Sequence, residues 1–234
     1  MEKDAASRFY QASHERNLAR TAGVDDAEAE LIRSPNHRYF GVWRAIDKHR
    51  PNSVLELGYG GIGNVRAVAS LGDFDYHVTD IVERMLGLPL PSNVKSHVCN
   101  LDQDFSFENG SFDMVVALMV VEHLYDPFHS LSEIARVLKA GGRLILNLPN
   151  IASLKCRLRL LVGQMPITSS SDWFEKREWD GNHLHYFTIT DTTRLAQLFG
   201  LQLAEILPVG RHQWLKRLLP SLFCHEITYI FSKK

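Results

Sequence analysis

The sequence has no long apolar run, few cysteines and no excess of charge of one sign. Its 234 residues include 26 Lys and Arg against 27 Asp and Glu, which gives a formal net charge of −1. A chain with this balance has no overall attraction for nucleic acid or for an anionic membrane, although a local patch could still bind either one. We therefore expect a small-molecule ligand and no nucleic-acid partner.

The three cysteines, Cys99, Cys156 and Cys224, are far apart and odd in number. They have neither metal-ligand spacing nor the pattern of a disulfide framework, which indicates a reducing compartment. The N-terminus is charged where a secretory signal would be apolar, and no uninterrupted apolar run approaches the roughly 20 residues that span a bilayer. These absences predict a cytoplasmic protein without stable membrane insertion.

Apolar, strand-like runs alternate with amphipathic helical stretches, a pattern typical of an α/β protein whose parallel sheet is covered by helices on both faces. Seven runs predict strands: Ser53–Leu57, Tyr76–Thr79, Val94–Cys99, Phe112–Ala117, Arg143–Leu148, Leu201–Leu207 and Glu226–Phe231. We expect an N-terminal helical cap over residues 1–50 and a main domain over 51–234. The irregular segment at about 151–188 is interpreted as an inserted, substrate-covering segment.

One helix is predicted together with its end. Leu131, Ile134, Ala135 and Leu138 recur at helical spacing. The run 139–142, Lys-Ala-Gly-Gly, then supplies a cationic last turn and a glycine stop, so that the strand at 143–148 would follow at once.

The most informative feature is the run 54–63, a short apolar strand that contains Glu56 and opens into a glycine-rich turn with Gly58, Gly60 and Gly63. The helix-forming residues 64–69 follow. Such a turn presents backbone N–H groups and a glycine-lined floor against which a nucleotide-like ligand can lie. Glycines also mark ordinary tight turns, so this run alone is a weak signal.

Further segments follow the turn in order and at suitable spacing. They are Tyr76-His-Val-Thr-Asp80-Ile81, the run 100–117, Val121-Glu-His-Leu124, the run 136–144 and Leu148-Pro-Asn150. Together they resemble a class I S-adenosylmethionine-dependent methyltransferase of the small-molecule type, similar to ubiquinone-pathway and related O-methyltransferases. The resemblance implies a Rossmann-like, seven-stranded, mostly parallel sheet with helices on both faces and an antiparallel last strand.

The resemblance also implies S-adenosylmethionine as the cofactor and S-adenosylhomocysteine as the product. Glu56 would lie near the methionine moiety, Gly58 and Gly60 would let the backbone pass close to the ligand, and Asp80 would accept hydrogen bonds from both ribose hydroxyls. The other cofactor contacts that it implies are Tyr59, Ile81, Asn100, Leu101, Ala117 and Leu118. From the residues alone, Glu56 could instead cap a helix and Asp80 could be a surface acid.

Two positions depart from the family pattern. The third glycine, expected two residues after Gly60, is replaced by Ile62 and displaced to Gly63. The third strand ends at Asn100 where an aspartate usually meets the adenine amino group, and an amide oxygen still accepts that hydrogen bond. Asp102 is the alternative if the register is shifted by two residues.

Three histidines are candidates for a general base, which is needed only when the acceptor must lose a proton. His123 would face the donor and acceptor, or it could shape the pocket through a hydrogen bond. His183 and His185 would share one face of an extended segment and could bind substrate or a metal together, or anchor the segment. Ubiquinone-type enzymes that use a divalent metal carry a further carboxylate three residues before Glu122, where this sequence has Met119, so we expect no metal.

We therefore expect an enzyme that methylates an oxygen, or less often a nitrogen or carbon, of a small metabolite. The alternative is a catalytically silent methyltransferase fold that binds the cofactor or a protein partner, because the cofactor residues serve both functions. A nicotinamide-linked dehydrogenase is permitted by the glycine turn but not favoured by the later segments. Trp173, Phe174 and Trp179 could form a homodimer contact or a substrate lid.

Two basic, apolar stretches leave alternatives open. Residues 211–223 could cover the pocket as an ordinary helix, or could meet a membrane surface, a partner or a greasy substrate. Lys155, Arg157 and Arg159 could form a solvated helix face or could bind an anionic substrate.

Overall fold

The computed structural model describes residues 31–59, 61–81, 90–169, 175, 177 and 179–234. Three sets of predicted features lie outside these described residues. They are the turn glycine Gly60, the aromatic side chains of Trp173 and Phe174, and the first thirty residues of the N-terminal cap.

Seven strands form one sheet in the order β3-β2-β1-β4-β5-β7-β6. Their bounds are β1 Ser53–Leu57, β2 Asp75–Asp80, β3 Val94–Val98, β4 Phe112–Leu118, β5 Leu138–Pro149, β6 Leu201–Pro208 and β7 Glu226–Lys233. The strands from β3 to β5 pair in parallel, whereas β7 runs antiparallel to β5 and β6. The predicted Rossmann-like sheet with an antiparallel last strand is confirmed.

Helices cover both faces of this sheet. In the described ranges they are α1 Phe40–His49, α2 Ile62–Ala69, α3 Pro127–Val137, α4 Leu154–Leu161, α5 Ile189–Leu198, α6 Gln213–Leu218 and α7 Pro220–Phe223. Successive side chains of β4 point to opposite faces, as strand geometry requires. Val115 and Ala117 join a buried cluster with α3 and α5, while Met114 and Val116 join a second cluster with α1 and α2.

The close packing of α1 on the sheet depends on a glycine. A Cβ atom at Gly41 would lie 2.6 Å from Cγ2 of Thr228 in β7. The missing side chain therefore lets the helix approach the strand. This helix is the described part of the predicted N-terminal cap.

The end of α3 differs from the predicted one. The helix ends at Val137, and Leu138 already belongs to β5, where it pairs with Phe112. The Nζ atom of Lys139 lies 2.9 Å from Oδ1 of Asp113 instead of serving a helix terminus. The predicted glycine stop at Gly142 was wrong because pairing with a distant strand overrides local helical spacing.

The three cysteines all have free, buried thiols. Burial raises the pKa of the Cys99 thiol and of the Cys224 thiol to about 11. All three thiols are therefore structural groups of the core, and none takes part in a disulfide.

Asp113 fastens the beginning of β1 to β4. Its Oδ2 atom accepts hydrogen bonds from the backbone N–H groups of Asn52 and Ser53 and from the Ser53 hydroxyl, each at 3.0 or 3.1 Å. Its Oδ1 atom accepts from Lys139. Burial raises the pKa of Asp113, but these hydrogen bonds outweigh burial and hold the pKa below its usual range.

We expect Asp113→Ala to lower the free energy of unfolding by about 1–3 kcal/mol at neutral pH, because the groups that Asp113 accepts from lose their partner. A lowered folded-state pKa means that this contribution is present above the unfolded pKa and is lost as the pH falls through the folded value. The difference from the wild type should therefore shrink in acid. Denaturant unfolding at a series of pH values measures it.

The control is Asp73→Ala, which removes an exposed acid just before β2 and should leave stability unchanged. A pH-independent loss in Asp113→Ala would contradict the electrostatic part of this account.

Candidate functional site

The candidate site lies at the edge where the parallel strands end, the usual ligand edge of an open α/β sheet. Because β1 lies between β2 and β4, three chain segments become neighbours there. They are the glycine turn after β1, Asp80 at the end of β2, and a short 3-10 turn, Val121–His123, after β4.

The turn after β1 requires glycine at its first position. Gly58 has a φ of 64°, in the left-handed region, and a Cβ atom there would lie 2.7 Å from Cγ2 of Val120. The N–H groups of Gly58 and Tyr59 both point to the carbonyl of Thr79, at 3.0 and 3.4 Å. The turn therefore packs against β2 on one side and against the segment after β4 on the other, and no side chain fits at Gly58.

Glu56 holds the elements behind this turn together. The side chain is buried, and its carboxylate accepts hydrogen bonds from the hydroxyls of Tyr39 and Tyr76. Burial raises the pKa of Glu56, and the two tyrosine hydrogen bonds oppose that rise only in part. The carboxylate thus links β1 to β2 and to the beginning of α1, and its contact with a methionine moiety stays a prediction.

Asp80 is 4% exposed at the end of β2. Its backbone carbonyl accepts a hydrogen bond from Cys99, at 2.9 Å, which fixes it against β3. Burial raises the pKa of the Tyr59 phenol well above its usual range, and the charges of Asp80 and Glu56 add to the rise. The Asp80 carboxylate therefore lies near the buried turn residue Tyr59, and the contact of either residue with the cofactor stays a prediction.

The loop after β3 contains both candidates for the adenine contact, Asn100 and Asp102. Oδ1 of Asp102 accepts hydrogen bonds from the N–H groups of Tyr125 and Asp126, at 2.8 and 3.2 Å, and so fastens the loop to the start of α3. Oδ1 of Asn100 accepts from Asp102 at 3.1 Å. Both side chains therefore hold the loop, and which of them contacts the adenine stays a prediction. Of the other predicted contacts, Leu101, Ala117 and Leu118 are buried and Ile81 is half-buried.

Glu122, His123 and His183 meet beside the turn. Each offers one atom that could hold a metal ion, and these atoms all lie within 4.8 Å of one another. The rings of His123 and His183 are edge to face, with centroids 4.8 Å apart. The absence of a metal stays a prediction.

The covering segment docks directly on this cluster. The backbone N–H groups of Leu184 and His185 donate to the carbonyl of Glu122, at 2.8 and 3.1 Å. Nδ1 of His123 lies 3.1 Å from the carbonyl of Asn182. Residues 122–123 and 182–185, which are far apart in the sequence, are therefore held together by backbone hydrogen bonds as well as by side-chain contacts.

The Glu122 carboxyl group is fully buried, and neither oxygen has a hydrogen-bond partner among the described residues. Burial raises the pKa of Glu122 to about 8. The group is therefore largely protonated at neutral pH and can donate a proton to a ligand.

His183 is oriented by Asp180 and Thr168, which the sequence analysis missed. The Thr168 hydroxyl donates its one proton to Oδ2 of Asp180, at 2.7 Å, so its oxygen accepts from Nδ1 of His183, also at 2.7 Å. The lone pair of the ring is then on Nε2. Burial lowers the pKa of His183 to about 4, so the ring is neutral.

Asp180 is itself held in an unusual loop. It is fully buried and accepts further hydrogen bonds from the N–H and hydroxyl groups of Ser169. Asp180, Gly181 and Asn182 all have positive φ. Asp, Gly and Asn tolerate positive φ, so an Asp-Gly-Asn sequence predicts a turn. It is the one sequence feature that could have indicated this loop.

His185 is separate from the cluster. Its Nε2 atom lies 3.3 Å from the carbonyl of Tyr125, and its ring is 6.4 Å from that of Phe187. The structure therefore places His183 with His123, and not with His185 as the expected extended segment would have done.

A pocket of about 510 Å³ lies between the residues that precede α1 and the beginning of β7. Its lining includes Arg38 and Glu226, which form an ion pair at 2.9 Å, together with Asn64. The charges of Arg38 and Glu226 act on Glu122. The pocket offers space for a small molecule beside this ion pair.

The sheet order, with an antiparallel β7 between β5 and β6, defines a Rossmann-like α/β fold. Residues 55–146, from β1 into β5, match the family described as "Methyltransferase domain". This match and the sheet order support the predicted resemblance to the class I S-adenosylmethionine-dependent methyltransferases, and S-adenosylmethionine is the cofactor of that class. The carboxylate of Asp80 offers the acceptor oxygens that the ribose hydroxyls of this cofactor need, and the glycine at position 58 lets the chain turn next to it.

Two curated relatives are similar over the same region. "Methyltransferase str3" of Strobilurus tenacellus is 31% identical over 103 residues, which cover 44% of this chain and 37% of that protein. A "Ubiquinone biosynthesis O-methyltransferase" of Xanthomonas oryzae pv. oryzae is 33% identical over 105 residues, which cover 42% of this chain and 43% of that protein. The match thus spans about two fifths of the length of these relatives.

Solved structures share the fold over a greater length. A Burkholderia thailandensis 1,6-didemethyltoxoflavin-N1-methyltransferase with bound S-adenosylhomocysteine has a TM-score of 0.59 at 16% identity, covering all of this chain and 89% of that one. A putative methyltransferase of Haloferax volcanii, solved with the activator Trm112, has a TM-score of 0.60 at 16% identity, covering 88% and 94%. These likenesses confirm the architecture.

We expect Glu122→Gln to change the pH dependence of stability. The folded state binds more protons than the unfolded state between about pH 4.5 and about pH 8, so wild-type stability should fall as the pH rises through that window. The variant has no such proton and should be more stable than the wild type at the upper end, by more than about 1 kcal/mol. Denaturant unfolding across the window measures the difference.

Glu133→Gln is the matched control with the opposite sign. Hydrogen bonds from Arg136 lower the pKa of Glu133, so this variant should lose stability at neutral pH instead of gaining it. Parallel pH profiles for Glu122→Gln and the wild type would contradict the raised pKa of Glu122.

Proposed function

We propose that the protein transfers the methyl group of S-adenosylmethionine to an oxygen of a small hydroxylated metabolite. The observation that carries this proposal is the meeting of the Gly58 turn, buried Asp80 and the Glu122, His123 and His183 cluster at one edge of the sheet. The similarity to a named O-methyltransferase supports oxygen as the acceptor atom. Three free cysteines support a cytoplasmic setting.

In this proposal, most of the rate enhancement comes from holding the methyl donor and the acceptor in the correct relative position. The bound cofactor supplies an already activated methyl group. The turn at Gly58 and the carboxylate of Asp80 would hold one reactant, and the residues around His123 and His183 would hold the other. Well-oriented reactants gain up to roughly 7–11 kcal/mol of barrier reduction.

The base is proposed to be Nε2 of His183. Its lone pair is fixed by the hydrogen bond from Nδ1 to Thr168, and Asp180 at the other end of that chain stabilises the positive charge that forms on the ring. His123 holds the ring edge to face and would help to orient the acceptor. General-base assistance of this kind contributes about 10²–10⁴-fold. His185 would hold the covering segment through Tyr125.

The first test is calorimetric titration with S-adenosylmethionine, S-adenosylhomocysteine and a nicotinamide dinucleotide. We expect micromolar binding of the first two, about −8 kcal/mol, and none of the third. Asp80→Ala should weaken that binding at least tenfold, because a charge-assisted contact to the ribose is lost. The exposed-site variant Asp73→Ala should bind as the wild type does.

Normal affinity in a folded Asp80→Ala protein would remove Asp80 from the cofactor site. Tight binding of the nicotinamide dinucleotide alone would overturn the proposed reaction class.

The second test is turnover of a panel of phenols, quinols and hydroxy acids, followed by release of S-adenosylhomocysteine. His183→Gln should lower kcat about 100-fold and leave cofactor affinity within twofold, because the base is lost and the cofactor contacts are not. His185→Gln is the matched control and should retain most of the activity. A chelator should leave turnover unchanged.

Equal losses in His183→Gln and His185→Gln would indicate a shared structural role for the two residues. Loss of turnover with chelator would instead assign Glu122, His123 and His183 to a metal. Cofactor binding without turnover of any acceptor would favour the catalytically silent fold.

A further inference from the structure

Two segments of the chain carry several basic residues and no acidic residue. Residues 151–167 and 209–225 contain no Asp or Glu, although the whole chain has 27 of them. Their six cations are Lys155, Arg157, Arg159, Arg211, Lys216 and Arg217. Among the described residues, no carboxylate forms an ion pair with any of these six. We call these two segments together the basic apolar face.

The two segments lie side by side. Nδ2 of Asn150 donates to the carbonyls of Ser221 and Cys224, at 2.9 and 2.8 Å. The hydroxyl of Ser153, which precedes α4, lies 3.3 Å from Nδ1 of His225. The beginning of α4 is therefore fastened to the end of α7 and the residues that follow it.

The charges of the two segments also act on a common side chain. Burial lowers the pKa of His225, and the charges of Lys155 in one segment and Lys216 in the other lower it further. Lys155 and Lys216 therefore lie on the same side of the molecule as His225, where the hydrogen bonds of Asn150 and Ser153 join the two segments.

Large apolar side chains stand exposed among these cations. Of the sixteen exposed large hydrophobic residues in the described ranges, eight belong to the basic apolar face. They are Leu154, Leu158, Leu160, Leu161, Val162, Trp214, Leu218 and Leu219. Leu161 is 80% exposed and Trp214 is 71% exposed. A concentration of apolar surface on this scale marks an interaction site more often than an ordinary solvated face.

We propose that the basic apolar face binds the surface of an anionic lipid bilayer. Anionic lipid head groups supply the negatively charged partners that the six cations lack within the protein. The boundary between head groups and acyl chains, just beneath, accepts the leucine and tryptophan side chains. Trp214 is the residue type that favours this boundary. The proposed contact is with the bilayer surface, and no helix in the described ranges is long and apolar enough to span a membrane.

Charge and chemistry disfavour the other occupants. A second copy of the chain on the same face would set six cations against six, which is repulsive. Nucleic acid would pair with the cations but would leave the exposed aliphatic side chains of α4 in water, because single-stranded nucleic acid uses aromatic platforms and duplexes use polar contacts. An anionic bilayer satisfies both the charge and the apolar surface.

The test is co-sedimentation of the full chain with phosphatidylcholine vesicles, with and without phosphatidylglycerol. Binding should require phosphatidylglycerol and should fall steeply as salt is raised. The double variant Lys155→Glu with Arg217→Glu, one change in each segment, should lower the partition coefficient at least roughly tenfold. Trp214→Ser with Leu161→Ser should weaken binding while preserving its dependence on salt.

The charge-matched control is Lys48→Glu with Arg194→Glu, which changes exposed cations on α1 and α5 by the same amount. It should bind vesicles as the wild type does. Titration with S-adenosylmethionine serves as a separate check on the fold of every variant, so a failure of the proposed reaction and a failure of membrane binding are distinguishable.

Three results would overturn the proposal. The first is no binding to phosphatidylglycerol vesicles by the wild type, and the second is equal loss in the charge variant and its control. The third is a wild-type dimer, measured by light scattering, that becomes a monomer in the Trp214→Ser, Leu161→Ser variant without any vesicle binding, which would assign the face to a second copy.

Discussion

Parallel pairing of β1 with β2 on one side and with β4 on the other is the constraint on which the site depends. Strands that run in the same direction end at the same edge, so segments far apart in the sequence leave the sheet together. The turn at Gly58, the carboxylate of Asp80 and the turn at Val121–His123 become neighbours for this reason alone. The contact of Gly58 with Val120 then leaves no room for a side chain between the two turns.

Burial shifts the pKa values of the acid and the base of the cluster in opposite directions. The carboxyl group of Glu122 has its pKa raised to about 8, and the imidazole of His183 has its pKa lowered to about 4. Near neutral pH both groups are therefore uncharged, one holding a proton and the other holding a lone pair. Titratable groups whose pKa values are driven apart in this way are what acid and base chemistry at one pH requires.

Most of the strands could be predicted because each is a run of mainly apolar residues, a pattern that can be recognised without knowing which strand it pairs with. For example, β1 begins at Ser53 and β7 begins at Glu226, as predicted. The beginning of β5 at Leu138 could not be predicted, since Leu138 fits the helical spacing of α3 and only pairing with Phe112 removes it from the helix.

The cofactor side of the site was more predictable than the catalytic side for a similar reason. Gly58 and Asp80 lie on the ends of strands, where position in the sequence fixes position in space. Asp180 and Thr168 act through hydrogen bonds between two parts of an irregular loop, and no periodicity marks them. His183 and His185 could not be distinguished by spacing, because the left-handed residues before His183 replace the extended chain on which a shared face depends.

The buried thiols have a practical consequence for spectroscopy. Each of the three cysteines is enclosed, and burial holds the thiols of Cys99 and Cys224 in their unreactive protonated form at neutral pH. A cysteine introduced on the surface would therefore react first with a maleimide fluorophore or a nitroxide spin label. The natural background is low enough that distances within the folded chain could be measured without first replacing its own cysteines.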